Sequence, residues 1–261
     1  MHKEFVCMRG ENRIHGTVFY EYGWNKLPIA IVSHEFMLNR LFSRRYAKLL
    51  AKLGYAAFCY DFCGGGAFSQ SDGRTANMSV LTELEDLSAV VEYARSLDYT
   101  DENRILLMGC SQGGLVSALY AAQHPVDVER LVLFYPALSI PDDARKGSMM
   151  RAHFDPENIP EAFRCGPMKL GRCYAEDAMR LDPYSDICDY KGDVLILHGD
   201  ADRIVDIEYS RRAEKTYTQS GAKVAFYIIK GAGHIFINPA HDKEAKNILK
   251  EFLHSEVRIW T

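Results

Sequence analysis

The sequence predicts a doubly wound α/β architecture, a mostly parallel central sheet with helices on both faces. Three observations predict it. Short, near-continuous apolar runs recur at Pro28 to Ser33, Tyr55 to Tyr60, Arg104 to Gly109, Leu131 to Tyr135, Val194 to His198 and Val224 to Ile229. Segments with helical periodicity lie between them, and strands covered on both faces by crossover helices lose the alternation of a half-exposed sheet. Finally, 261 residues that are 48% hydrophobic and 25% charged suit one α/β domain with a modest insertion better than two independent domains.

The elements follow in order. Residues 3–9 and 12–20 are rich in strand formers and meet at Gly10-Glu11, an antiparallel pair ahead of the parallel pattern. Arg40 to Leu53 places Leu41, Phe42, Tyr46, Leu49, Leu50 and Leu53 on one expected apolar face, and Gly54 stops the helix. Ser79 to Leu97 repeats the pattern with Val80, Leu84, Leu87, Val91 and Ala94. Between these helices, Gly64-Gly65-Gly66 lacks the lysine and hydroxyl of a phosphate loop and reads as a flexible loop bordering a pocket. The alternation breaks once, from Leu138 to Lys191, and 54 residues are too many for a plain loop. Residues 138–191 are therefore expected to form an inserted lid subdomain, leaving 1–137 and 192–261 as the core domain. Within the insertion, prolines at 141, 156, 160 and 167 separate short pieces, and Arg172 to Leu181 reads as a helix stopped at Asp182-Pro183. Its aromatics Phe154, Phe163, Tyr174, Tyr184 and Tyr190 serve either as a pocket wall or as the subdomain's own small core.

Composition removes several classes of function. With 31 Lys+Arg against 35 Asp+Glu the formal charge is −4, so there is no basic excess to displace phosphate counterions, and no nucleic acid partner is expected. Seven cysteines, an odd number at irregular spacing, make a poor disulfide framework and fit a reducing, cytoplasmic setting. The amino terminus carries charges where a secretory leader needs an apolar stretch, and no window approaches the ~20 apolar residues of a membrane span. No metal-ligand spacing appears, so neither metal nor organic cofactor is expected.

The chemistry concentrates in Gly109-Cys110-Ser111-Gln112-Gly113-Gly114, after the apolar run 104–108 and before the helical pattern Leu115 to His124. Turning from strand to helix in so few residues puts the central residue in a strained conformation, which the flanking glycines make sterically feasible. Ser111 would stand exposed at the carboxyl edge of the sheet, with the Gln112 amide and the helix dipole aimed at developing negative charge. Cys110, turned inward by the same geometry, reads as a packed thiol. A serine hydroxyl needs a base that is itself oriented by an acid. Both follow at the ends of later strands, where open α/β sheets place their sites. The acid comes from Asp200, Asp202 or Asp206, and the base from His234 in Gly231-Ala232-Gly233-His234. Asp206 suits a helix cap and Asp200 a turn stabiliser. His198, at a strand end before a glycine, reads as structural.

On these residues the chain resembles an α/β-hydrolase over nearly its whole length, in the order nucleophile, acid, base. The matching motifs are Gly109 to Gly113, His198-Gly199-Asp200-Ala201-Asp202-Arg203-Ile204-Val205 and Gly231 to His234. The resemblance implies Ser111, Asp202 and His234 as catalytic residues. It also places an oxyanion loop at Ser33-His34-Glu35-Phe36, with the amides of Phe36 and Gln112 as donors. The insertion resembles that of bacterial cinnamoyl and feruloyl esterases, in Pro136-Ala137, Asp143-Ala144-x-x-Gly147 and Leu170-Gly171 followed by Tyr174. That second resemblance implies a small ester substrate, with Asp143 contacting the phenolic hydroxyl of the acyl group. In the oxyanion loop, His34 is either a substrate contact lining the site or a hydrogen-bonded loop histidine, and Glu35 is a further candidate substrate contact. Glu35 departs from the family's usual glycine; it either turns away from the site or hydrogen-bonds a neighbour such as the elbow. A homodimer stays open as a further partner.

Overall fold

In the computed structural model, which describes residues 1–21, 26–66 and 68–254, the antiparallel hairpin comes first: β1 (His2–Arg9) and β2 (Asn12–Phe19), paired from His2↔Phe19 to Arg9↔Asn12. There follow β3 (Leu27–Ser33), α1 (Arg40–Lys52), β4 (Ala56–Tyr60), α2 (Val80–Arg95), β5 (Thr100–Cys110), α3 (Gln112–Gln123) and β6 (Val128–Phe134). The insertion contributes α4 (Ile140–Arg145), the short hairpin of β7 (Ser148–Met149) and β8 (Ala152–His153), a second hairpin of β9 (Ala162–Cys165) and β10 (Met168–Gly171), α5 (Arg172–Arg180) and α6 (Pro183–Asp186). The core resumes with β11 (Asp193–Gly199), α7 (Ile207–Gln219), β12 (Lys223–Ile229) and α8 (Pro239–His254).

Eight strands form one sheet in the order β1-β2-β4-β3-β5-β6-β11-β12. Only β1/β2 and β2/β4 pair antiparallel; the rest is parallel. The near-continuous apolar runs are explained by burial on both sides. Along β3, Ile29 and Ile31 enter one core while Ala30 and Val32 enter the other, and along β5 the same holds for Ile105 and Leu107 against Leu106 and Met108. The buried apolar residues of α2, α3 and α7 belong to the first core and those of α1 and α8 to the second. Each crossover thus lays an apolar stripe on a sheet face and leaves the strand carboxyl ends open on one edge.

Two expectations about local packing are corrected. The buried stripe of α1 is Ser43, Tyr46, Ala47, Leu50 and Ala51, whereas Leu41 and Phe42 are exposed. Small side chains at 43, 47 and 51 let the helix approach the sheet closely, so backbone proximity rather than side-chain size decides its orientation. Its first residue, Arg40, is also buried, because its guanidinium is paired with the fully buried Asp61. The glycine run is not a loose loop at the pocket: Gly64 and Gly65 are buried, with N–H groups donating to Asp72 O and Phe62 O at 3.0 Å each.

All seven cysteines are free, and among the described residues no helix is long and apolar enough to cross a membrane.

Candidate active site

Ser111 lies between β5 and α3 with φ 52° and ψ −118°, a left-handed conformation that a serine adopts only under constraint. The sequence enforces it through its glycines. A Cβ on Gly113 would sit 2.5 Å from His34 O and 2.6 Å from Ser33 O, and one on Gly109 would collide with the carbonyl of Gly113. The turn is closed by Ser111 N–H donating to Phe134 O at 2.9 Å and by Gly114 N–H donating to Ser111 O at 2.9 Å. Gln112 opens α3, so its N–H has no carbonyl within the helix to bond and lies at the positive end of the helix dipole.

His234 and Asp202 reach this hydroxyl from the loops after β12 and β11. His234 Nε2 is 2.8 Å from Ser111 Oγ, and His234 Nδ1 is 2.8 Å from Asp202 Oδ2. Asp202 is held on both oxygens. Oδ1 accepts from the N–H groups of Ile204 at 2.8 Å and Val205 at 3.1 Å, and Oδ2 is also 3.0 Å from His198 Nε2. Ser210 Oγ lies 2.7 Å from His198 Nδ1, an arrangement in which the serine donates to Nδ1 and Nε2–H donates to the carboxylate. Burial opposes the charge on Asp202, but the hydrogen bonds from His198 and His234 outweigh it and hold the carboxyl well below its ordinary value. Of the competing acids, Asp206 caps α7 by accepting from Glu208 N–H at 3.0 Å, and Asp200 accepts from Gly231 N–H at 2.5 Å.

A cavity of about 410 Å³ opens over Ser111, within the size range of small-molecule sites. Phe36 and Gln112 line it on the core side, and Asp143 and Tyr174 on the insertion side. The Asp143 carboxyl is raised above its ordinary value by burial, against the opposing effect of a hydrogen bond with Ser139.

His34 and Glu35, expected as substrate contacts, do not reach the cavity wall. His34 is buried, with Nδ1 2.7 Å from Glu35 O and Nε2 accepting from Phe62 N–H at 3.2 Å, so it braces the loop. Burial lowers its pKa, opposed by the bond to Glu35 O. Glu35 turns under the elbow, where it accepts from Tyr135 Oη at 2.9 Å. Tyr135, at φ 40°, packs its ring 5.0 Å from that of His234. Of the five aromatics in the insertion, only Tyr174 lines the cavity; Phe154 and Phe163 pair with each other 4.8 Å apart.

One functional neighbour was not anticipated. Gln112 Nε2 donates to Glu83 Oε2 at 2.7 Å, and the hydroxyl of Tyr174 donates to Gln112 Oε1, so a carboxyl of α2, the elbow and the insertion share one buried network. Burial pushes Glu83 well above its ordinary value, although the bond from Gln112 works against this. A signal existed: the buried stripe of α2 runs Val80, Glu83, Asp86, Leu87, Val90, Val91 and Ala94, so Glu83 and Asp86 are carboxyl groups on an otherwise apolar face. Among the described residues, no cluster of three or more His, Cys, Asp or Glu is placed to hold a metal ion.

Comparison with known proteins agrees with this fold. The family model for serine aminopeptidase S33 matches residues 31–160. The quorum-quenching protein AidA of Acinetobacter baumannii (strain MDR-ZJ06) is 32% identical over 89 residues, which is 33% of this chain and 28% of that protein. The chain thus matches under a third of the length of that curated relative. Among solved structures, the ferulic acid complex of Est1E from Butyrivibrio proteoclasticus is similar with a TM-score of 0.88 and 27% identity, over 97% of this chain and 99% of that one. An esterase of Pyrococcus furiosus, Pf2001, shares the fold at a TM-score of 0.70 and 19% identity, over 98% of this chain and 92% of its own.

Proposed function

We propose that this chain, an α/β-hydrolase along nearly its whole length, is a serine hydrolase of carboxylic esters that works through an acyl-enzyme. The observation that carries the reading is the continuous relay Ser111–His234–Asp202, with 2.8 Å at each step, beneath a cavity large enough for a small ester. Ser111 Oγ attacks the ester carbonyl as His234 Nε2 takes its proton. Asp202, ionised and held by four hydrogen-bond donors, keeps His234 Nδ1 protonated and stabilises the imidazolium. The amides of Phe36 and Gln112 receive the oxyanion, each worth on the order of 10²–10³ in turnover. His234 then returns the proton to the leaving alcohol, and water repeats the sequence on the acyl-enzyme.

Hydroxycinnamate and similar small aryl or acyl esters are the substrates this site supports best. A structural neighbour matched over 99% of its own length binds ferulic acid, and Asp143 lines the cavity here, where its carboxyl can accept from a phenolic hydroxyl. Residues 138–191 act as the roof of the site. The burial of Glu35 beneath the elbow, away from the cavity wall, keeps its carboxylate from opposing the oxyanion. A peptidase reading is favoured by one observation, the serine aminopeptidase model over residues 31–160. A panel of chromogenic esters, thioesters and aminoacyl amides separates the two. Hydroxycinnamoyl esters are expected to be turned over fastest, and Ser111→Ala to abolish the turnover. Preferential cleavage of the amides would replace the reading by the peptidase, and no turnover of any compound would remove both.

A further inference from the structure

We infer that the mouth of this cavity is an anion subsite formed by Arg151 and Arg203, and that the preferred ester carries a carboxylate on its alcohol portion. The inference rests on the ester reading above and deepens it.

Both guanidinium-bearing residues line the cavity, Arg203 from the loop that carries Asp202 and Arg151 from the turn between β7 and β8. Among the described residues no carboxylate pairs with either and no hydrogen bond engages either side chain. Arg9, Arg13, Arg40, Arg95 and Arg145 are each held by a carboxylate, whereas Arg151 and Arg203 share the lack of one with exposed arginines such as Arg74, Arg164 and Arg172 and differ from those in lining the cavity. The wall holds one acidic residue, Asp143, so two positive charges face one partly buried carboxyl. The cavity also has a direction. Tyr174, Ile140 and Met149 are buried, whereas Arg151 and Arg203 are exposed beside Met150 and Ile204, at 53% and 54% exposure. An aryl acyl group placed among the buried residues leaves the alcohol at the arginine end. A planar guanidinium binds a carboxylate through two parallel N–H donors, and two such groups at an opening raise the local concentration of an anionic substrate.

The test uses a matched pair, the 4-hydroxycinnamoyl esters of 4-hydroxybutyrate and of 4-hydroxybutyramide, which differ in charge at the far end of the alcohol and not at the reacting carbon. The ratio of their kcat/KM values isolates the subsite, while turnover of the neutral ester reports separately on the ester reading. The wild type is expected to prefer the anionic ester by about tenfold at low salt, with the preference shrinking as KCl is raised. R151Q and R203Q are each expected to lower the ratio by roughly threefold to fivefold, the size of an exposed charged pair, and the double substitution to bring it near one. Equal turnover of the two esters by the wild type, a preference insensitive to salt, or a ratio that survives the double substitution would overturn the anion subsite while leaving the ester reading intact. Failure to hydrolyse either ester, with activity on other acyl esters retained, would overturn the hydroxycinnamate reading and this inference with it.

Discussion

On the core side of the cavity, Asp202 gathers two histidines and two backbone amides, and the Ser111 turn is locked by glycines whose Cβ atoms would strike backbone. On the insertion side, Met150 and Arg151 sit exposed in the turn of a hairpin with two residues per strand. The core fixes a reacting geometry by leaving each group one position. The insertion supplies side chains that line the cavity from a scaffold of short helices and hairpins, pinned to the core by bonds such as Ser79 Oγ donating to Asp177 at 2.6 Å and the Tyr174–Gln112 contact. Chemistry and selectivity are therefore separable, and substitutions in the relay and in the cavity wall should change different quantities.

The largest effect is expected in the core. Ser111→Ala should lower kcat by roughly 10⁴–10⁶ on every ester alike, and Asp202→Asn by about 10⁴, because the amide favours the wrong tautomer of His234. Steady-state kinetics on a hydroxycinnamate and an acetyl ester would check both; a loss on one ester only would break the separation. Next comes the insertion. Asp143→Ala should lower kcat/KM for hydroxylated cinnamates by about 10- to 100-fold while sparing simple acetyl esters, since an unpaired phenolic hydroxyl in a partly buried site is costly. Equal losses on the two classes would remove Asp143 as a substrate contact.

The smallest expected effect lies where the regions meet. Glu83 has a raised pKa in the folded chain, so above its ordinary value of 4.5 the unfolded chain ionises first and stability falls as pH rises. Asp202 has the opposite sign: its contribution is present above the ordinary carboxylate value of 3.8 and is lost as pH falls toward its depressed one. Glu83→Gln keeps an acceptor for Gln112 and removes the titration. Urea unfolding between pH 4.5 and 8 should then show a flatter decline in stability than the wild type, and an unchanged slope would show that Glu83 is ionised in the folded state.

The sheet, the elbow and the spacing of the relay were legible because each rests on a local rule. Apolar runs without alternation require burial on both faces, and the strained turn at Ser111 requires Gly109 and Gly113. What was not legible depended on distances between segments. Leu41 and Phe42 carry the helical periodicity of α1, yet the sheet selects the face with Ala47 and Ala51. His34 and Glu35 sit in the right loop, but the direction of their side chains is set by Phe62 and Tyr135, 28 and 100 residues away. Glu83 was hidden by the neighbouring Leu84, although only the position of Glu83 falls on the buried stripe.

The most direct test of the central claim is covalent labelling by a fluorophosphonate, followed by intact mass and peptide mapping, on the wild type and on His234→Ala. A hydroxyl activated by its neighbours predicts one adduct per chain, on the peptide carrying Ser111, and its near-complete loss in the variant. No adduct on the folded wild type, or one at another residue that His234→Ala leaves unchanged, would contradict it.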